Sequence, residues 1–304
     1  MAWFKYYSPV DYNFDAIEKS YFFFSKVSKL NDLFDCSADL LLCTNQFSFL
    51  NEKGRNKLKK AISNYGICCF SETYDNKALW AYYANSYKGF VVEYDDQKFK
   101  CREIKWRCGL PVFCEDGEKI NDSSLLMLML RKGKVNYISR SDLPKKKEDV
   151  AFMTCASDGC DKEPKSIDID EAMKDGKNLD KWVESLFFSK ERESWQAERE
   201  YRLFAGDNAV NYLSENQKCD NGYKIYFPKT KNDIVKSFIL GYNFDLCNIE
   251  HLKRFSSLYP NAKFYVIAPK EIYTLERIEI NFSDLENYAK SRSIKEYIKL
   301  MKQK

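Results

Sequence analysis

The spacing of apolar residues changes several times along this 304-residue chain, and each change marks an element. Trp3 to Tyr7 and Tyr21 to Ser25 are extended aromatic segments, with a short helical stretch from Phe14 to Lys19 between them. Leu30-Asn31-Asp32-Leu33-Phe34-Asp35 reads as a turn, fixed by Asn31 and Asp32 side chains that bond backbone N–H groups. Lys53 to Asn64 has helical spacing ended by Gly66, and Ile67 to Ser71 is a short apolar strand. Asp75 or Asn76 caps a helix predicted to run to Gly89, where glycine supplies the left-handed C-terminal residue. The strand Phe90 to Tyr94 follows.

Beyond Glu200 the pattern is strand-rich: Tyr223 to Phe227, Ile234 to Leu240, Lys263 to Ile267 and Ile272 to Leu275, with one helix within Gly241 to Ser257. From Ser283 the chain has capping-box spacing, and Leu285, Tyr288, Ile294, Tyr297, Ile298 and Met301 predict one amphipathic helix over 283–304. Residues 140–180 carry Lys145-Lys146-Lys147, two glycines and few aromatics, the composition of a mobile insertion. Helices and strands without regular alternation predict an α+β fold. We expect a single domain over 1–304 with a central, mostly antiparallel sheet flanked by helices.

One strand carries charge where apolar residues are expected. If 198–204 is extended, Glu198, Glu200 and Arg202 share a face and Tyr201 and Leu203 the other. Two carboxylates beside a guanidinium must be solvated or paired, so this is either an exposed charged edge or a place for chemistry. On the helix predicted from Asn76 to Gly89, Trp80, Tyr83 and Tyr87 recur as one aromatic stripe, the pattern of a core face or of a cleft wall.

Composition narrows the chemistry. The chain is 44% apolar and 16% aromatic, enough for a packed core, and its 49 basic and 45 acidic residues nearly balance. No charge excess argues for nucleic acid. Eleven cysteines include no C-x-x-C pair, so a zinc ribbon is not supported and reduced thiols are expected. The single histidine, His251, lies in a run that reads as a surface helix. No multi-histidine metal site can be built, and a nucleophile–histidine mechanism would have to use His251. The N-terminal segment lacks a secretory pattern, and the longest apolar run falls far short of the roughly 18 residues that span a bilayer. A cytoplasmic protein with no membrane partner is expected.

Five blocks, in order, carry a resemblance: Lys5-Tyr6; Leu30-Asn31-Asp32-x-Phe34-Asp35; Phe70-Ser71-Glu72-x-x-Asp75-Asn76-x-x-Leu79-Trp80-Ala81-x-Tyr83-Ala84; Lys88-Gly89-Phe90; and Lys190 with Trp195-x-x-Glu198-x-Glu200-Tyr201-Arg202. Over about residues 4 to 270 the chain resembles a bacterial and phage domain family known only as domain of unknown function twenty-nine seventy-one. Two departures are Leu33, where proline is usual, and Tyr82, where histidine is usual. The blocks also resemble, more loosely, ADP-ribosyltransferase-like domains, which consume NAD.

That looser resemblance implies a NAD-consuming transferase, a toxin or phage-defence effector acting on a protein or nucleic-acid acceptor, with no metal. It implies that Glu200 stabilises positive charge developing on the ribose and that Glu198 orients the acceptor or takes its proton. Lys5, Tyr6, Ser71, Trp80 and Tyr83 would bind the dinucleotide. Arg202 would keep the carboxylates ionised. The second reading is a non-catalytic module binding nucleotide or nucleic acid, in which the Glu/Arg strand is a structural ion-pair network. Lys145-Lys146-Lys147 and Lys295, Lys299, Lys302 and Lys304 would serve it.

Overall fold

In a computed structural model of the chain the described residues are 2–30, 42–43, 48, 50–63, 65–99, 101–103, 105–107, 110–114, 129–142, 152–155, 165–167, 169–227, 234–289 and 294–303. The fold is α+β, with mixed but mostly antiparallel strand pairing. Contacts divide it into two compact units. Met1–Phe22, Phe70–Phe99 and Tyr226–Lys304 form the first, Phe23–Cys69 and Lys100–Ile225 the second. Among the described residues no helix is long and apolar enough to cross a membrane.

The first unit is built around the strand Ala2–Tyr7. It pairs antiparallel with Phe90–Asp95, Phe4 opposite Glu93 and Tyr6 opposite Val91, and sets Phe4 opposite Ser71 on its other edge. Phe90–Asp95 then pairs antiparallel with Val235–Leu240, which runs parallel to Lys263–Pro269, and Leu275–Glu279 closes the row antiparallel. Period two sends alternate side chains to opposite faces. Trp3, Lys5 and Tyr7 share the face of Phe90 and Phe238, covered by helices Asp11–Glu18 and Ile249–Leu258 through the stacks Phe14 on Phe90 and Phe255 on Phe238. Phe4 and Tyr6 turn to the other face, onto a cluster of Trp80, Ala84, Val91, Ile239 and Ile267.

The helix predicted to reach Gly89 is much shorter. Asn76 caps it, its side chain accepting from the Ala78 and Leu79 N–H groups, but the helix covers only Lys77–Tyr82. Asn85, Ser86 and Tyr87 follow with φ of 47°, 55° and 65°. Three successive left-handed residues without a glycine are costly, so tertiary contacts must hold them. Tyr87 stacks on Trp80 with rings 5.6 Å apart, and Asn243 donates from its backbone to the Tyr87 carbonyl and from its side chain to the Ser86 carbonyl. Gly241 allows this approach, since a Cβ there would stand 2.0 Å from the Tyr87 carbonyl oxygen.

At the C-terminus Phe282–Ala289 and Ile294–Gln303 are helical, within the stretch 283–304 expected as a helix, and residues 290–293 lie outside the described residues. Lys295 lies over the Tyr242 ring, and Lys302 pairs with Glu276 and donates to the Pro269 carbonyl. His251 sits on a helix, as expected, but stacks on Phe14 at 4.1 Å with Nδ1 2.7 Å from Glu18.

In the second unit Glu200–Ala205 pairs antiparallel with Arg131–Lys134. Helices Glu52–Ser63 and Gly176–Phe187 bring Leu58, Ile62, Trp182 and Val183 into a core with Tyr65 and Phe204. Phe152–Cys155 and Lys165–Ile167 belong to a separate four-stranded sheet, and Asn136–Ile138 pairs parallel with Ser189–Glu191. The stretch 140–180, expected as a mobile insertion, in its described part contributes to this core: Ile167, Ile169, Ala172 and Leu179 are buried. Its scarcity of aromatics concealed aliphatic residues able to join a core. Lys145-Lys146-Lys147 and the Asn31-Asp32 turn lie outside the described residues.

Candidate functional site: a paired-carboxylate cluster

The charged cluster of the second unit is assembled from two strand pairs. Glu191 ends the strand Ser189–Glu191 and caps the short helix Arg192–Trp195, accepting from the Ser194 N–H. Hydrogen bonds from Ser194 and Arg140 hold its carboxyl down at about 2. This fixes Trp195 five residues beyond Lys190. A 3-10 turn, Gln196–Glu198, leads into Arg199 at φ 46° and ψ 56°, and only at Glu200 does the strand begin. The strand predicted from 198 therefore starts two residues late. Glu198 and Glu200 are related by a left-handed turn and not by strand alternation, yet both reach the same ammonium.

Lys190 Nζ lies 3.0 Å from Glu198 Oε2 and 3.4 Å from Glu200 Oε2, and 4.2 Å from the centre of the Trp195 ring. Arg202 is fully buried. Its Nε donates to Glu200 Oε1 at 2.8 Å and its Nη2 to Oε2 at 3.1 Å, while Nη1 donates to the Phe187 carbonyl at 2.6 Å. The two-point fork is the strongest form of this pairing and explains how a carboxylate only 4% exposed is tolerated. Tyr137, directly across the strand pair from Lys190, accepts the Glu200 N–H on its hydroxyl at 2.8 Å.

The two carboxylates differ in access. Glu200 is sealed, whereas the Glu198 side chain keeps 15% exposure. Burial pushes the Glu198 carboxyl above its ordinary value, Lys190 opposes that shift, and the charge of Glu200 adds to it. Burial likewise raises the Tyr137 hydroxyl. Among the described residues no group of three or more His, Cys, Asp or Glu side chains is arranged to hold a metal ion.

The remaining predicted residues fall in the first unit and do not share a face. Lys5 turns toward Tyr7 and Phe70, its Nζ 5.7 and 5.3 Å from the ring centres. Tyr6 turns the other way, its ring edge-on to Trp80 and its hydroxyl donating to the Thr73 carbonyl at 2.9 Å. Neighbours on a strand cannot line the same side of a sheet, so Lys5 is separated from Tyr6 and Trp80 by the sheet itself. Ser71, opposite Phe4, is buried on the Trp80 side, where its Oγ accepts the Thr73 N–H. Trp80 is core, with Nε1 donating to the Tyr74 carbonyl at 2.6 Å. Tyr83 caps the helix and accepts the Ser8 hydroxyl on its carbonyl, while Tyr82 is 81% exposed.

Sequence reasoning assigned no part to Tyr137 or to the contact of Lys190 with Trp195. Tyr137 lies 63 residues from Glu200 and meets it through the antiparallel pairing of Arg131–Lys134 with Glu200–Ala205, which leaves no local signal. Lys190 stands ten residues before Glu200, a spacing that no single element makes meaningful. The chain matches no protein-family model, no curated protein and no solved structure.

Proposed function

We propose that the chain is a NAD-consuming, ADP-ribosyltransferase-like enzyme, a toxin or phage-defence effector acting on a protein or nucleic-acid acceptor. One observation carries the reading: two carboxylates converge on one ammonium, one sealed by arginine and the other retaining access to solvent. Cleavage of the bond between nicotinamide and ribose develops positive charge on the sugar, and a fixed carboxylate lowers the barrier by favouring that charge in the transition state. Glu198, with access and a raised carboxyl, suits contact with the ribose or with the acceptor proton. Glu200, both oxygens engaged, suits holding Lys190 and Arg202 in place. This exchanges the roles read from the sequence.

The test is release of nicotinamide from NAD by the purified chain, with Glu198→Gln and Glu200→Gln beside it. Glu198→Gln should lower turnover by roughly two to three orders of magnitude, the usual loss for one preorganised electrostatic group. Absence of release by the unmodified chain with protein and nucleic-acid acceptors would end this reading.

The second reading, a non-catalytic binding module, draws support from charge closure. Glu198, Glu200, Lys190 and Arg202 bond one another, as a structural brace would. Tight binding of NAD or an oligonucleotide without turnover would favour it.

A further inference from the structure

The Lys190 ammonium is held from three directions. Glu198 lies at 3.0 Å, Glu200 at 3.4 Å, and the face of Trp195 at 4.2 Å. Its side chain is only 7% exposed. An ammonium in such a seat has given up most of its water and must be repaid by fixed partners. Glu200 does not depend on it for neutralisation, because Arg202 bonds both Glu200 oxygens. At Glu198 Lys190 donates directly to Oε2.

We infer that Lys190 is a positioning residue for Glu198, its ammonium clamped on Trp195 so as to keep the Glu198 carboxylate charged and turned toward Glu200. The inference rests on the carboxylate cluster as the functional site proposed above, and goes further by naming what sets the charge of its accessible member. The charged and titratable groups facing Glu198 are Lys190 from the strand Ser189–Glu191, Glu200 and Arg202 from Glu200–Ala205, and Tyr137 from Asn136–Ile138. Glu200 disfavours ionisation of Glu198, while Lys190 and Arg202 favour it. Of the two cations Arg202 bonds Glu200 and the Phe187 carbonyl, while Lys190 is the one that donates to Glu198 Oε2, so loss of Lys190 removes a direct hydrogen bond and a positive charge that favour the ionised form.

Trp195 has its own part. It gives the ammonium an apolar, electron-rich seat that competes with water and accepts no proton, so it localises Lys190 without changing the charge count. A flexible lysine free in solvent would lose that localisation, and with it much of its hold on Glu198.

The test is titration of the Glu198 side-chain carboxyl by carbon-13 NMR in full-length unmodified, Lys190→Met and Lys190→Arg chains, with Glu198→Gln identifying the resonance. Lys190→Met should raise the midpoint by about one pH unit or more, a tenfold or greater gain in proton affinity, and Lys190→Arg should restore most of it. An unchanged midpoint in folded Lys190→Met overturns the inference. Should that variant fail to fold, the unmodified chain decides the matter. The nitrogen-15 resonance of Lys190 Nζ must then titrate with the same midpoint as Glu198, and a Nζ signal indifferent to Glu198 protonation overturns the inference equally. Because neither readout requires turnover, the result is independent of nicotinamide release, whose absence would count against the proposed function alone.

Discussion

Two buried glutamates in the second unit, Glu200 and Glu184, are equally hidden and differently partnered. Their exposures are 4% and 6%, and each meets an arginine. Around Glu200 cations predominate: the Arg202 fork takes both oxygens and Lys190 adds a second positive group. Around Glu184 burial predominates. Arg131 pairs with it and Lys181 also favours its charge, but Asp180 opposes that charge, and the Tyr65 hydroxyl is spent on Asp180 at 3.1 Å. Burial, with Arg131 only partly compensating, pushes the Glu184 carboxyl up to about 7. Burial alone does not decide what a carboxylate does. The geometry of its cationic partners separates a carboxylate held by a two-point fork from a group that takes up a proton near neutrality.

The largest test removes the fork. Arg202→Ala leaves Glu200 sealed without its strongest partner, and the expected loss of stability is about 3 to 5 kcal/mol in urea unfolding. Arg131→Ala should cost much less below pH 7, because Glu184 can become neutral. Equal losses in the two variants at pH 6 would erase the distinction between the sites.

Next in size is the pH dependence due to Glu184. Its ordinary carboxyl value of 4.5 is raised to about 7 by folding, so the folded chain binds this proton more tightly than the unfolded chain. The associated stability is present in full below about 4.5 and is lost as pH rises toward about 7, above which the contribution stays flat. Glu184→Gln keeps the shape and cannot ionise. It should flatten the stability profile between those limits by an amount on the order of a few kcal/mol, read from urea midpoints at several pH values. A profile as steep in the variant as in the parent would assign the slope to other groups.

The contrast also explains what could be read in advance. Glu198, Glu200 and Arg202 were legible because polar residues at period two break the expected apolar strand, and two of the three lie on one. Glu184 was not legible. Lys181-Trp182-Val183-Glu184 has the look of a helix with a solvated charged face, and the residues that bury Glu184, Tyr65 and the segment at Gly206, come from distant parts of the sequence. The aromatic stripe was half legible for a related reason. Trp80 and Tyr87 do stack, but through a left-handed turn set by Asn243 and Gly241, which helical periodicity does not encode. The α+β class was visible from element order. Separation of Lys5 from Trp80 followed from strand alternation alone, which the grouping of both into one pocket had not applied.

A smaller effect is expected from Tyr65→Phe. The ring packs against Phe204 at 4.7 Å and remains, while the hydrogen bond to Asp180 is lost. Asp180, already raised chiefly by burial, loses one group that lowers it. Stability should fall by about 1 kcal/mol, and more at pH 7 than at pH 4, where Asp180 is increasingly protonated. A loss independent of pH would mean that the hydroxyl supports packing and not the charge of Asp180.

The smallest effect concerns the joint between the two carboxylates that meet Lys190. Arg199 is exposed and left-handed, at φ 46°, and a non-glycine residue pays about 1 to 2 kcal/mol for that conformation. Glycine would remove the strain but lose about 0.5 to 1 kcal/mol through its freer unfolded state. Arg199→Gly should therefore stabilise the chain by only a few tenths to about 1 kcal/mol and leave the common titration of Lys190 and Glu198 in place. Arg199→Val, β-branched and poorly suited to positive φ, should cost more than 1 kcal/mol and disturb that titration, because relaxing toward an extended backbone would put Glu198 in line with the strand and swing it away from Lys190. If Arg199→Val leaves both stability and the shared midpoint intact, the left-handed turn is not what brings Glu198 beside Glu200, and the cluster owes its geometry to the Lys190 and Trp195 clamp alone.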